Sequence, residues 1–293
     1  MKNFRYIIEA IFLQILMFVF AILPLDIASA FGGWIGRSLG MMMGISKRAG
    51  KNLDIAIPGL SPAQKKDIIR GMWDNLGRTI AEYPHLKKIS RDRMTIQNEK
   101  VLKDTVEGGN GGIFISAHIG NWETQVPSML ARHGVSASLT YRALNNPYAD
   151  KILRKFRTLH GAIKAYPKER SSGKFLLSDL KQKEFLAILI DQKYNEGVAV
   201  PFFDKPAMTN PVFVQLAQKY KCPLVPSRCK RLNGAHFELT IHEPLTLFDG
   251  SGNALPVETV ILQAHKILES WIRDTPEQWL WLHRRWKSKK LAS

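Results

Sequence analysis

The sequence predicts an α/β fold: a mixed, largely buried sheet flanked by helices, with a membrane-associated helical region ahead of it. Short apolar runs alternate with helical patterns along most of the chain, as expected when helices connect the strands of one sheet. The composition, 45% hydrophobic and 23% charged, is that of a globular protein and excludes wholesale disorder. Ahead of this alternation, residues 6–25 are almost free of charge. The 293 residues suffice for one large domain or two small ones. The change of style divides them into an anchor region, 1–45, and an α/β domain, 46–293.

The first segment, Tyr6–Leu25, is interrupted only by Glu9, Gln14 and Pro24. Its charge-free core, Ala10–Leu23, falls short of the ~20 residues of a spanning helix, so it spans with help from its flanks or is re-entrant. Lys2 and Arg5 before it and Ala28-Ser29-Ala30 after it imitate a cleavable signal peptide. The same apolar, glycine-spaced style continues past that point, which favours an uncleaved anchor. Basic residues on both sides leave its orientation open.

Gly32, Gly36, Gly40 and Gly44 follow at a spacing of four. On a helix they form one flat stripe that admits a second helix at close range. The simplest partner is the Tyr6–Leu25 helix folded back at Pro24; the alternative is a loose, turn-rich connector. Gly36-Arg37-Ser38-Leu39-Gly40 also matches the hydrolase elbow GxSxG, but no strand–turn–helix pattern surrounds it.

In the remaining chain, Ser61-Pro62 caps a helix that runs to Tyr83, with Ile68, Ile69, Met72, Trp73, Leu76 and Ile80 as its apolar stripe. The glycine cluster Gly108–Gly112 lacks the P-loop lysine and reads as a turn into the buried strand Ile113–Ala117. Further strands are expected at Val135–Tyr141, Phe185–Ile190, Cys222–Arg228 and His236–His242, and helices at Trp122–His133, Pro147–His160, Pro211–Tyr220 and Val257–Arg273. Cys222 and Cys229 are seven residues apart in a strand pattern, which puts them on opposite faces and argues against a mutual disulfide.

The stretch Ala117-His118-Ile119-Gly120-Asn121-Trp122-Glu123 carries the chemistry. A buried strand ends at Ala117, Gly120 makes a turn, and Asn121 caps the next helix. His118 therefore stands at the carboxyl end of a strand, where open α/β sheets place their sites. Glu123 falls in the first helical turn, within reach of the imidazole. A carboxylate on one ring nitrogen leaves the other free to take a proton, which suits attack by a substrate hydroxyl on an acyl ester or thioester. A structural histidine beside a capping glutamate is the bland alternative. No HExxH or other metal-ligand cluster is present, and the pair needs neither metal nor cofactor.

His118-Ile119-Gly120-Asn121-Trp122-Glu123 resembles the HxGNWE signature of the bacterial lipid A biosynthesis late acyltransferases, the lauroyl- and myristoyltransferases. That family lies within the lysophospholipid acyltransferase superfamily and its H-x4-D/E dyad. Tyr141-Arg142 with Asn146-Pro147 resembles the family's YR…NP block, Asp191-Gln192 its DQ motif, and Pro201-Phe202-Phe203 its PFF block. Residues 278–286 resemble its closing QWxWxHxRW, and Asn52–Glu82 its segment ahead of the domain. Lys193 and Asp204 depart from the pattern, which bears on the acceptor more than on the reaction.

The resemblance implies an inner-membrane enzyme with its catalytic domain on the cytoplasmic face. The donor would be acyl carrier protein thioester, and the acceptor a hydroxyl of a Kdo-bearing lipid A precursor. It implies His118 and Glu123 as catalytic residues, and Gly120, Asn121, Arg142, Asp191 and Gln192 as substrate-binding. Asp191 would order the substrate or hold Arg142. The net charge of +17 fits such acidic partners: carrier protein, phosphorylated acceptor and anionic membrane lipids. The basic tail Arg284–Lys290 reads as a solvated end or a contact with such lipids. An acyltransferase with a glycerophospholipid or aminolipid acceptor is the alternative. A basic membrane-binding protein without catalysis is the second, and no nucleic-acid-binding module is recognisable.

Overall fold

The structure is a computed structural model; it describes residues 2–168 and 172–286, so most of the basic tail lies outside the described residues. The helices are α1 (Lys2–Ile22), α2 (Leu25–Gly40), α3 (Ser46–Ala56), α4 (Pro62–Ala81), α5 (Leu86–Asp92), α6 (Glu99–Glu107), α7 (Gln125–His133), α8 (Pro147–Arg157), α9 (Gly173–Lys181), α10 (Val212–Tyr220) and α11 (Val257–Asp274). The strands are β1 (Met94–Gln97), β2 (Gly112–Ser116), β3 (Ala137–Tyr141), β4 (Ala165–Pro167), β5 (Phe185–Leu189), β6 (Val198–Phe202), β7 (Lys205–Thr209), β8 (Leu224–Asn233) and β9 (His236–Ile241).

Seven of these strands form one sheet in the order β1-β9-β8-β2-β5-β3-β4. All neighbours are parallel except β8 and β9, so the sheet is mixed, as expected. The five strands read from the sequence are β2, β3, β5, β8 and β9. The short strands β1 and β4 and the hairpin β6–β7 were not expected; β1 alternates (Met94 and Ile96 buried, Thr95 and Gln97 exposed) but spans only four residues. β6 and β7 pair through Phe202 and Lys205, and the intervening Phe203 and Asp204 both have positive φ (51° and 57°). Such a two-residue turn favours Gly, Asn or Asp, so Asp204 suits its position.

β2 is buried along its whole length and packs both ways. Ile113 and Ile115 enter a core with Leu224, Val214 and Leu268, while Phe114 enters a second core with Val225, Ala137, Met129 and Phe237. Cys222 lies in the first core and Cys229 in the second; both are free thiols, as the odd spacing required.

The glycine stripe is a helix face, but its partner is α4 rather than α1. A Cβ on Gly32 would stand 2.4 Å from Ala81 Cβ, one on Gly36 would stand 2.1 Å from the carbonyl oxygen of Trp73, and one on Gly40 would enter the Trp73 ring. Gly77 on α4 reciprocates, since a Cβ there would meet the Gly32 carbonyl oxygen at 2.1 Å. Gly44 lies beyond the end of α2 and has nothing near its missing side chain. The GxSxG match lies inside α2, where no elbow can form.

α1 ends before Pro24 and packs elsewhere. Met17 and Phe20 are buried with Tyr83 and Leu86, against Leu153 and Phe156 of α8. Phe4, Ile8, Ile11, Phe12, Ile15, Phe18 and Ile22 remain exposed on its other face. Asn3–Ile22 is long and apolar enough to cross a membrane.

Candidate active site

β2 and β5 are parallel neighbours with Ser116 opposite Leu189. The Ile190 N–H then bonds the Ser116 carbonyl at 3.0 Å, and the same register carried two residues past each strand sets His118 beside Asp191. His118 Nδ1 lies 2.8 Å from Asp191 Oδ1, while Asp191 Oδ2 accepts from the His118 backbone N–H at 2.9 Å and from Trp279 Nε1–H at 2.8 Å. Burial alone would raise the Asp191 pKa. His118 and these hydrogen bonds hold it well below the usual carboxylate range. An ionised carboxylate only accepts, so Nδ1 carries the imidazole proton and Nε2 presents its lone pair.

Glu123 was expected beside this imidazole, and the structure puts it elsewhere. Its carboxylate accepts from Arg157 Nε at 2.8 Å and Nη2 at 2.8 Å, from the Tyr83 hydroxyl at 2.8 Å and from Trp122 Nε1 at 3.0 Å. Burial would raise its pKa, but Arg157 and the three sets of donors lower it. A buried carboxylate is held by a planar guanidinium far better than by a neutral imidazole, which is the physical reason for the different pairing. Asp191 likewise spends its oxygens on His118 and Trp279 rather than on Arg142.

Asn121 does cap the turn: its side-chain oxygen accepts from the Glu123 N–H at 3.2 Å, and its amide donates to Glu82 Oε2 at 2.7 Å. Glu82 is fully buried and also pairs with Arg231 and accepts from Ser29. Gly120 is obligatory, because its φ is +59° and a Cβ would stand 2.2 Å from the Cys229 carbonyl oxygen. The closing segment crosses the same turn. Leu280 N–H bonds the His118 carbonyl at 3.0 Å, and Gln278 accepts from the Gly120 N–H at 3.2 Å. This segment brings in His283, which had no assigned role in the sequence reading. Gln192 Nε2 stands 3.1 Å from His118 Nε2 and 2.8 Å from His283 Nε2. Burial and the neighbouring His118 lower the His283 pKa to about 4.

His118, Trp122 and Gln192 border a cavity of about 290 Å³, and exposed Arg142, at the end of β3, also lines it. One step back along the strands, Phe114, Ala187 and Leu139 are register neighbours on its wall, and Val126 and Met129 of α7 close it from the other side. The cavity is thus apolar behind a polar end. Arg157 and Tyr83 also line it, and nothing in their local sequence marked them. Among the described residues, no group of three or more His, Cys, Asp and Glu is placed to hold a metal.

An imidazole at the strand ends, opening on an apolar cavity, suits chemistry on an acyl chain. The family model for bacterial lipid A biosynthesis acyltransferases matches residues 1–288. The chain belongs to that family. It is also similar to the lipid A biosynthesis lauroyltransferase of Escherichia coli strain K12, at 23% identity over 283 residues, covering 91% of this chain and 87% of the relative. As a lipid A acyltransferase, the protein transfers acyl groups in lipid A biosynthesis. The resemblance seen in the motifs therefore extends over nearly the whole chain.

Proposed function

We propose that this lipid A acyltransferase moves a fatty acyl chain from acyl carrier protein thioester to a hydroxyl of a Kdo-bearing lipid A precursor, at the cytoplasmic face of the inner membrane. The observation that carries the reading is the His118–Asp191 couple, with its free nitrogen at the polar end of an apolar cavity. The acyl chain lies along Phe114, Ala187 and Met129, with its thioester carbonyl near His118. His118 Nε2 takes the proton of the acceptor hydroxyl, whose oxygen attacks the carbonyl carbon. The carbonyl π pair moves to oxygen. Collapse of the intermediate re-forms the carbonyl, breaks the C–S bond, and returns the proton from Nε2 to the sulfur. Asp191 keeps the imidazole in the right tautomer and stabilises the imidazolium. Glu123 acts through Arg157 and Tyr83, fixing the wall beside the base. Arg142 meets an anionic group of a substrate at the mouth, and Gly120 and Asn121 shape the turn that holds His118.

The exposed apolar face of α1 and the charge of +17 support a membrane location and acidic partners. The test is an assay of the purified chain with acyl carrier protein and acyl-CoA donors against lipid A precursor, glycerophospholipid and aminolipid acceptors. Transfer from the carrier protein to the lipid A precursor is expected, with His118→Ala slower by about 10²–10⁴-fold. Preference for a glycerophospholipid or aminolipid would replace the acceptor, and a fully active, folded H118A protein would remove the mechanism.

A further inference from the structure

We propose that the side-chain amide of Gln192 donates the hydrogen bond that steadies the oxyanion of the tetrahedral intermediate, and that His283 is the positioning residue that holds this amide in place. This rests on the acyl-transfer reading above and adds to it the source of oxyanion stabilisation.

The backbone turn after β2 offers little to an oxyanion. The N–H groups of His118, Ile119 and Gly120 are committed to Asp191, Ala117 and Gln278 respectively. With these three N–H groups engaged, a side chain at the mouth of the cavity is the donor the geometry points to. Gln192 Nε2 has two protons and stands 2.8 Å from His283 Nε2, 3.1 Å from His118 Nε2 and 3.5 Å from His118 Nδ1. Because Asp191 fixes the proton of His118 on Nδ1, the lone pair of His118 is on Nε2, and the amide nitrogen, close to both ring nitrogens, lies over the face of the imidazole beside that lone pair.

That arrangement changes at the moment of reaction. The acceptor hydroxyl takes the lone pair on His118 Nε2 with one amide N–H beside it, while the other amide proton stays on His283. When His118 takes the hydroxyl proton, the ring becomes a cation and disfavours the amide N–H held against its face. The freed N–H then faces the carbonyl oxygen, which gains the π electron pair as the O–C bond forms. That oxygen is bonded to the carbon under attack, so a rotation of the Gln192 side chain is enough to reach it. The N–H returns to His118 once the C–S bond breaks and the sulfur has taken the proton.

His283 is suited to anchor the amide because its own backbone is pinned. Asn52 Nδ2 donates to the carbonyl oxygens of Trp281 and His283, both at 2.6 Å, and Arg48 Nη1 donates to that of Leu282 at 3.2 Å. The His283 ring is neutral beside His118, and in the tautomer with its proton on Nδ1 its Nε2 accepts from the amide. An amide tethered to His283 has only this rotation to make as charge develops, less reorganisation than a free side chain would need.

The experiment measures kcat and KM of the full chain in detergent, with acyl carrier protein thioesters and a Kdo-bearing lipid A precursor, and a thermal melt for each variant. Gln192→Ala and Gln192→Glu should lower kcat by about 10²–10³-fold with little change in either KM, the signature of an interaction made in the transition state. His283→Ala should lower kcat by about tenfold or more, and His283→Gln, whose amide oxygen can accept in place of Nε2, should recover most of it. A folded Q192A protein with near-normal kcat, or a loss confined to KM, overturns the proposal. If Arg142→Gln carries the kcat loss instead, the oxyanion donor is Arg142. H283Q no better than H283A overturns the anchoring role. A wild-type chain inert with every thioester would overturn the acyl-transfer reading itself, and this proposal with it.

Discussion

Asp191 holds His118 at two points, receiving the ring Nδ1–H on one oxygen and the backbone N–H on the other. Ring tautomer and main-chain position are thereby set by one carboxylate. Asp191→Asn should lower kcat by about 10²–10⁴-fold, because an amide can donate to Nδ1 and so favour the wrong tautomer. Stopped assays alongside a melting curve check this. D191N with near-wild-type turnover would return the orienting role to another group.

Glu123 and Arg157 form a buried pair, with side-chain exposures of 7% and 16%. Glu123→Gln leaves the guanidinium buried without its counter-charge, which typically costs about 3–5 kcal/mol. A marked fall in melting temperature is expected, with partial recovery in the double variant Glu123→Gln/Arg157→Gln. An E123Q protein that is inactive yet as stable as wild type would show that Glu123 acts on the chemistry directly.

The α2–α4 contact predicts a sign. Gly36→Ala would drive a methyl into the Trp73 carbonyl, and overpacking costs about 1–3 kcal/mol, more than the gain of up to ~1 kcal/mol that Gly→Ala brings in an open helix. G36A and G77A should both lower thermal stability in detergent. Gly44→Ala, with nothing near it, should not. Stabilisation by G36A would dissolve the close contact.

Buried His265 and half-buried His283 predict the acid limit. Burial and the neighbouring Arg285 lower the His265 pKa from 6.5 to about 3, and burial beside His118 lowers that of His283 from 6.5 to about 4. Both are neutral in the fold, so between pH 6.5 and about 4 the unfolded chain binds more protons. Their contribution is fully present above pH 6.5 and is lost as pH falls toward about 4 for His283 and about 3 for His265. Asp191 and Glu123, whose pKa values are depressed, lose their contributions further down, with the same sign. Melting temperatures recorded from pH 7.5 downward should begin to fall near pH 6.5. A flat profile to pH 5, with these histidines intact, would contradict the assignment.

The sequence by itself determined what depends on neighbours along the chain. Apolar runs and turn residues marked five of the seven sheet strands, and the step from Ala117 through Gly120 to Asn121 put His118 at a strand end. The ordered motifs identified the family before any geometry was known. Only the tertiary structure decided which groups meet. Asp191 is 73 residues from His118 and reaches it through the β2–β5 register, whereas Glu123, five residues away, is drawn off by Arg157 on α8. The glycine stripe announced a close contact, but α4 won it because Gly77 supplies a matching gap. Periodicity is a local property that a chain can display in its letters. Pairing across a sheet or between helices is a competition among distant partners, settled by burial, charge and fit.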